Sequence, residues 1–350
     1  MTPEDFIRGL GSSPDFLWQD VDFINRRGLV VKFDEASYRR ASFLDNRAYT
    51  RESLGVWLTL DRILERCADL KPDPAPHAIF HVSHCGSTLL SRLLAESPGC
   101  LPLREPLLPL ALAVERRELP QAAARLDAAG WDRCFDVVLA LISRVYRPGD
   151  RAVLKATSAC GNLLAPFLER SPGSKAVLMH TDLETWLTVM LRKEDVRHNG
   201  RFYAQAWLKD LHALTGRTDL RLYAMSDAQQ FAVNWLTAML HFEQAARQHG
   251  ERVQRCDFEA LLADPVASIT RTGGFLGLDT SRAADAVAGP LMKGYAKNPA
   301  RAYDRAARDE ELKQSRREMG AEIDAGMKFA EKLCAEIGML APLGAYLRRS

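Results

Sequence analysis

A chain of 350 residues is long enough for one large or two modest domains, because single cores stop growing near roughly 250–300 residues. Its 47% apolar and 26% charged residues, with 22 Gly and 17 Pro, are ordinary for a folded globular protein and exclude a disordered chain, a fibre or a low-complexity array. Lys and Arg total 47 against 45 Asp and Glu, so the net charge of +2 supplies no field that would gather nucleic acid or an anionic membrane.

The seven cysteines are scattered and odd in number, with no Cys-x-x-Cys pair. They suggest neither a disulfide framework nor a structural metal site, and no metal is expected. The acidic start Met-Thr-Pro-Glu-Asp reads as lacking a secretory signal, and no run of about 18 apolar residues suggests a membrane span. A reducing cytoplasm is the expected location.

Residues 1–76 read as a mixed helical extension and linker, with a helix expected from about Glu52 to Leu70 on the spacing of Leu54, Trp57, Leu58, Leu60, Ile63 and Leu64. Lys71–Pro76 carries three prolines, which withhold donors and bias the preceding residues to extended backbone, so the helix ends there. His77–Val82 then suits a buried strand. After a small polar loop, Leu89, Leu90, Leu93 and Leu94 follow at helical spacing. Further strands are expected at Ala152–Lys155, Lys175–His180 and near Val253–Asp257. Helices are expected between them, around Leu163–Leu168, Trp186–Arg192, Phe202–Leu214 and Gln229–Arg247. Such alternation predicts an α/β fold, a parallel central sheet flanked by helices, over residues 77–305. Beyond Asp304 the chain is charged and helix-prone, and 306–350 reads as solvated C-terminal helices packed on the main domain.

The loop Ser83-His84-Cys85-Gly86-Ser87-Thr88 between strand and helix is a phosphate-loop candidate. Amides at a helix N-terminus favour an oxyanion, Gly86 lets backbone approach it, and Ser87 and Thr88 add hydroxyl donors. A tight turn capped by serine fits the same residues. A Walker loop does not, since its first glycine and its lysine are both missing, and neither does a nucleophile elbow, since His81 and Cys85 stand where glycines belong. A phosphatase loop with a Cys85 nucleophile is a near miss. Its arginine falls at Arg92, one residue late and rotated by about 100° on a helix.

At this point the chain resembles the PAPS-dependent sulfotransferase family, whose P-loop-like fold carries a strand, a Lys/Arg-Ser-Gly-Thr-Thr loop and a leucine-rich helix. Asp257-Phe-Glu-Ala-Leu-Leu-Ala-Asp-Pro265 followed by Gly274-Phe-Leu-Gly-Leu278 resembles a late segment of that family. Lys293-Gly-Tyr-Ala-Lys297 sits where members place a basic segment over the cofactor. The resemblance implies transfer of a sulfonate group from PAPS to a hydroxyl or amine acceptor on a small molecule, without a metal. It implies donor contacts at Cys85, Gly86, Ser87, Thr88, Lys155, Lys293 and Lys297. It also implies a catalytic base at Glu105, in Leu103-Arg104-Glu105-Pro106, on a loop whose pre-proline backbone should be extended. His84 replaces the family's Lys or Arg and, as imidazolium, would stabilise the leaving phosphate.

The chain also departs from the family. Thr181 and Val189 stand where members carry the Arg and Ser that grip the 3′-phosphate. Shifting by one puts His180 and Thr188 there, and Arg192 and Lys193 lie a helical turn beyond. These losses keep a second possibility open, a degenerate member of the fold that binds or regulates without turning PAPS over. The acceptor site would draw on residues 1–70 and on helices near Phe202, Tyr203 and Trp207.

Overall fold

The computed structural model describes residues 1–350 except 193, 293, 296, 297, 303, 304 and 350, without the side chains of 294, 295 and 298–302. The first helix, α1 (Pro3–Leu10), opens on a capping box in which Thr2 and Asp5 satisfy each other's backbone amides. Strands β1 (Phe16–Asp22) and β2 (Arg27–Lys32) form an antiparallel hairpin, α2 (Glu35–Arg40) follows, and β3 (Gly55–Thr59) adds to β2. A helix expected across 52–70 is therefore replaced by a strand and a shorter helix, α3 (Leu60–Arg66). Both halves of that segment carry apolar residues at mixed spacing. Val56, Trp57 and Leu58 prefer extended backbone once β2 supplies a ladder, while Leu60, Ile63 and Leu64 bury one helical face. The extension is thus a three-stranded sheet with helices rather than a helical lead-in.

The main sheet contains β4 (His77–His81), β5 (Cys100–Arg104), β6 (Arg151–Lys155), β7 (Ala176–His180) and β8 (Val253–Asp257), all parallel, in the order β5-β6-β4-β7-β8. Both faces of a parallel sheet are covered, which is why β4 and β7 are buried at every position. Helices α4 (Ser87–Leu94), α5 (Leu107–Glu118), α6 (Ala128–Ile142) and α7 (Leu164–Arg170) link the strands up to β7. Then α8 (Leu183–Leu191), α9 (Glu194–Thr215) and α10 (Asp227–His249) lead to β8. After β8 come α11 (Phe258–Ala263), α12 (Pro265–Phe275) and α13 (Ala283–Ala288), a short hairpin of β9 (Gly294–Tyr295) and β10 (Asn298–Ala302), and the long α14 (Arg305–Glu336).

The α/β architecture and all four expected strands are present. The fifth, β5, reads poorly as a strand because Pro102 cannot donate to a ladder. It is tolerated because β5 is the edge of the sheet, paired among the described residues with β6 alone. The C-terminal helix is less solvated than its charge suggests. Ile323, Met327, Ala330 and Leu333 recur at three- and four-residue steps and are buried against α8 and α10, while the Ser315 hydroxyl donates to the Thr188 carbonyl at 2.6 Å.

Connections from β4 run to one side of the sheet, and those from β6 onward run to the other. The crevice at the carboxyl end of β4 is where ligands gather in open sheets of this kind. His77 at the other end of that strand is buried, and its Nδ1 accepts the Lys175 N–H at 3.1 Å. Burial, then the charges of Lys175 and Arg151, push its pKa down to about 4. Because the folded value lies below the unfolded one, the contribution of His77 to stability is complete above about pH 6.5 and fades as pH falls toward 4. A loss of up to about 3 kcal/mol is expected over that window from a shift of this size. Urea midpoints measured across it should fall less steeply for His77→Gln than for wild type; parallel curves would contradict the assignment.

Candidate functional site

At the carboxyl end of β4 the chain passes through Ser83–Gly86 into α4. Gly86 caps α4 in the left-handed region at φ 74°, and a side chain there would also strike the Phe258 ring of α11. Glycine is needed on both counts. The Trp186 indole N–H donates to the Ser83 carbonyl at 2.6 Å and ties the loop to α8. The first-turn amides of α4, which no helix can satisfy internally, stand at a cavity of about 610 Å³. Thr88 is 3% exposed and lines that cavity, yet its hydroxyl oxygen is buried without a partner. A buried hydroxyl left unsatisfied costs about 1–3 kcal/mol, so this one suits a ligand.

Gly86, Ser87 and Thr88 share the cavity wall with His84, Glu105, Lys155 and Arg192. Cys85 does not join them as a side chain. It is fully buried beneath the loop, its thiol donates to the Val82 carbonyl at 2.7 Å, and burial pushes its pKa up to about 12. The phosphatase alternative loses its nucleophile, and only the backbone of Cys85 is available to a ligand.

Glu105 departs from the extended backbone expected before Pro106. It sits at φ 52°, its N–H donates to the Lys155 carbonyl at 2.7 Å, and its carboxylate pairs with the Lys155 ammonium. Lys155 is 1% exposed, so it is not a strand-end lysine reaching for water, and the carboxylate supplies the countercharge such burial demands. His84, at φ 55°, is likewise left-handed. Backbone strain of this kind costs of order 1–3 kcal/mol per residue and gathers at functional sites. Among the described residues, two of the three non-glycines with positive φ line this one cavity.

Other candidates are not brought together. Thr181 is buried with its carbonyl accepting the Trp235 indole N–H at 3.0 Å, and Val189 lines the cavity without a donor. His180 packs edge-on against Tyr346 beside Asp257, where burial lowers its pKa, and the Thr188 hydroxyl donates to its own helix at Glu184. Neither lines the cavity. Arg192 does, but pairs with Glu311 on α14. Lys193, Lys293 and Lys297 lie outside the described residues.

The structure adds cations with no sequence motif to announce them. Arg47 pairs with Asp45 and stacks over Phe43; Arg308 pairs with Glu259 and lies 5.1 Å from the Phe258 ring centre. Arg305, also on the wall, is exposed and has no ion pair among the described residues. Phe43, Met190, Tyr203 and Trp207 form an apolar part of the lining, whereas Phe202 is 77% exposed and takes no part. Among the described residues no cluster of three or more His, Cys, Asp or Glu could hold a metal ion, and no helix is long and apolar enough to cross a membrane.

No protein-family model matches the chain, and no curated protein matches its sequence. Solved structures similar to it include a sulfotransferase from Alicyclobacillus acidocaldarius, at 15% identity and TM-score 0.35, covering 74% of this chain and 95% of that one. The sulfotransferase domain from the curacin biosynthetic pathway is 13% identical at TM-score 0.39, covering 70% and 97%. Retinol dehydratase, in complex with androsterone and inactive cofactor PAP, is 13% identical at TM-score 0.29, covering 78% and 88%. Proteins this distant bring no chemistry with them.

Gly86→Ala should destabilise the fold by more than about 1 kcal/mol through the left-handed backbone alone, with the Phe258 clash in addition. Combining it with Phe258→Leu should recover the clash and leave the backbone cost. Full recovery in denaturant unfolding would show that Gly86 is not held left-handed.

Proposed function

We propose that this protein is a sulfotransferase that moves a sulfonate group from PAPS to a hydroxyl or amine of a small-molecule acceptor. The observation that carries this reading is the buried, unpartnered Thr88 hydroxyl at the N-terminus of α4, in a cavity that also holds the Glu105–Lys155 pair. The phosphosulfate end of the donor fits this corner. The first-turn amides, Gly86 and the hydroxyls of Ser87 and Thr88 would hold it, with Cys85 contributing backbone only. When bound, PAPS supplies a sulfonate activated by a good phosphate leaving group.

Glu105 would take the proton from the acceptor as its oxygen or nitrogen attacks. Lys155 holds that carboxylate in position, and protonation of Glu105 frees the ammonium to face negative charge in the cavity. His84 would donate toward the leaving phosphate. With Thr181 and Val189 unable to grip a 3′-phosphate, Arg305 would meet it, joined by Arg192 if that side chain exchanges Glu311 for the phosphate, and Lys193, Lys293 and Lys297 belong to the same proposal. The aromatic wall at Phe43, Tyr203 and Trp207 favours an acceptor with an apolar body. No metal is invoked. Seven free cysteines fit a reducing compartment such as the cytoplasm.

The uncharged lining at Val189 and the buried Thr181 favour one other reading, a protein of the same fold that binds the nucleotide without turnover. Calorimetry with PAP and a transfer assay over phenols, alcohols and amines separate the two. For the enzyme, PAP binds the wild type and Glu105→Gln within about threefold, while the substitution lowers turnover by about 10²–10⁴. PAP binding with no transfer to any acceptor selects the second reading. Absence of PAP binding defeats both.

A further inference from the structure

A second cavity, of about 390 Å³, adjoins the first and shares Leu291 with it. Its wall carries four arginines from separate parts of the chain: Arg39 on α2, Arg92 on α4, Arg104 at the end of β5 and Arg282 before α13. Among the described residues only one acidic side chain, the exposed Glu96, shares that wall. Arg39 already pairs with Glu35 at 3.1 Å. The other three have no carboxylate within ion-pair distance among the described residues.

Arg104 is the most demanding of them. It is 2% exposed, and its guanidinium is met by neutral groups: the Ala41 carbonyl at 2.7 Å, the Arg39 carbonyl at 3.2 Å and the Ser91 hydroxyl at 3.2 Å. Arg92 donates to the Ser42 hydroxyl at 2.6 Å, and its Nε is buried without a partner. Buried positive charges without a countercharge are expensive, and grouping them adds repulsion. The consequence shows in Arg104, whose pKa is pushed down to about 10 by burial first and by the neighbouring charge of Arg92 next. Arg92 is also lowered, by its own burial. The one-residue displacement that spoiled the phosphatase pattern has a structural counterpart here. It turns Arg92 from the loop toward Ser42 and this cavity.

We propose that this arginine-walled cavity is a second anion site, which binds the phosphate, sulfate or carboxylate group of a small molecule through Arg92, Arg104 and Arg282. Planar guanidinium forks suit an oxyanion, which can engage several N–H groups at once and supply the countercharge the protein omits. Water takes about 30 Å³ per molecule in the liquid, so a cavity of this volume has room for an organic body behind the anionic group. Nothing in this assignment depends on sulfonate transfer in the first cavity.

The test uses the full chain and follows the arginine Nε–H signals by NMR, with Arg92 and Arg282 assigned from Arg92→Lys and Arg282→Lys. Inorganic phosphate and phenyl phosphate are titrated separately at ionic strength held constant with sodium chloride. The expected result is saturable movement of the Arg92 signal, with the apparent Kd weakened at least threefold by Arg282→Gln, a surface change that leaves the core intact. Saturation at lower concentrations of phenyl phosphate assigns the site to an organic oxyanion, and at lower concentrations of inorganic phosphate to the free ion. An Arg92 signal that does not move, or that drifts without saturating, overturns the proposal. So does an apparent Kd that Arg282→Gln leaves unchanged, since the ions would then be held elsewhere.

Discussion

At the carboxyl end of β4 the chain must pass from a buried strand into α4 through residues 82–86, and it does so by taking His84 and Gly86 into the left-handed region. That turn places the first residues of α4, Ser87 and Thr88, on the wall of the cavity. It is held from three sides. The Cys85 thiol anchors it below, the Trp186 indole fixes Ser83, and the Phe258 ring packs where a Gly86 side chain would be. The sheet order then brings the ends of β5 and β6 beside it, carrying Glu105 and Lys155. A change in how the turn is made would move Gly86, Ser87 and Thr88 relative to that ion pair.

The cavity also concentrates strain and unmet demand. Glu105 is held at φ 52° although the residue precedes a proline, because its N–H and its carboxylate are both fixed by Lys155. The same lysine is too deeply buried to do without that carboxylate. Each thereby accounts for the position of the other. Thr88 adds a hydroxyl with no partner, and the second cavity repeats the pattern with guanidinium groups in place of a hydroxyl. Among the described residues, a hydroxyl in the first cavity is left without a partner; in the second, buried positive charge is left without a carboxylate, and the Arg92 Nε without a partner.

Much of this was legible in the residues. The apolar run at 77–82, the small polar loop and the leucine spacing of α4 locate the strand–loop–helix corner without reference to the rest of the chain. Glu105 and Lys155 could be named singly but not as a pair, because β5 and β6 are adjacent only once strand order is known. Pro102 disguised β5, and the conformation of Glu105 is set by a contact 50 positions away. The 55–66 segment was ambiguous because its first half needs β2 to become a strand. Arg305 and Arg308 sit in a helix whose composition looks solvated, and only the packing of α14 on α8 brings its first turn to the cavity. His180 and Thr188 fit a shifted motif by spacing, yet their side chains are committed elsewhere.

Sulfonate transfer as proposed requires a donor oxyanion held by main-chain amides at the start of α4. Backbone amide chemical shifts of the ¹⁵N-labelled full chain, recorded during titration with PAP, address it directly. The largest changes are predicted at Gly86, Ser87 and Thr88, saturating together. Shifts that saturate elsewhere in the protein while these three amides stay fixed would contradict it.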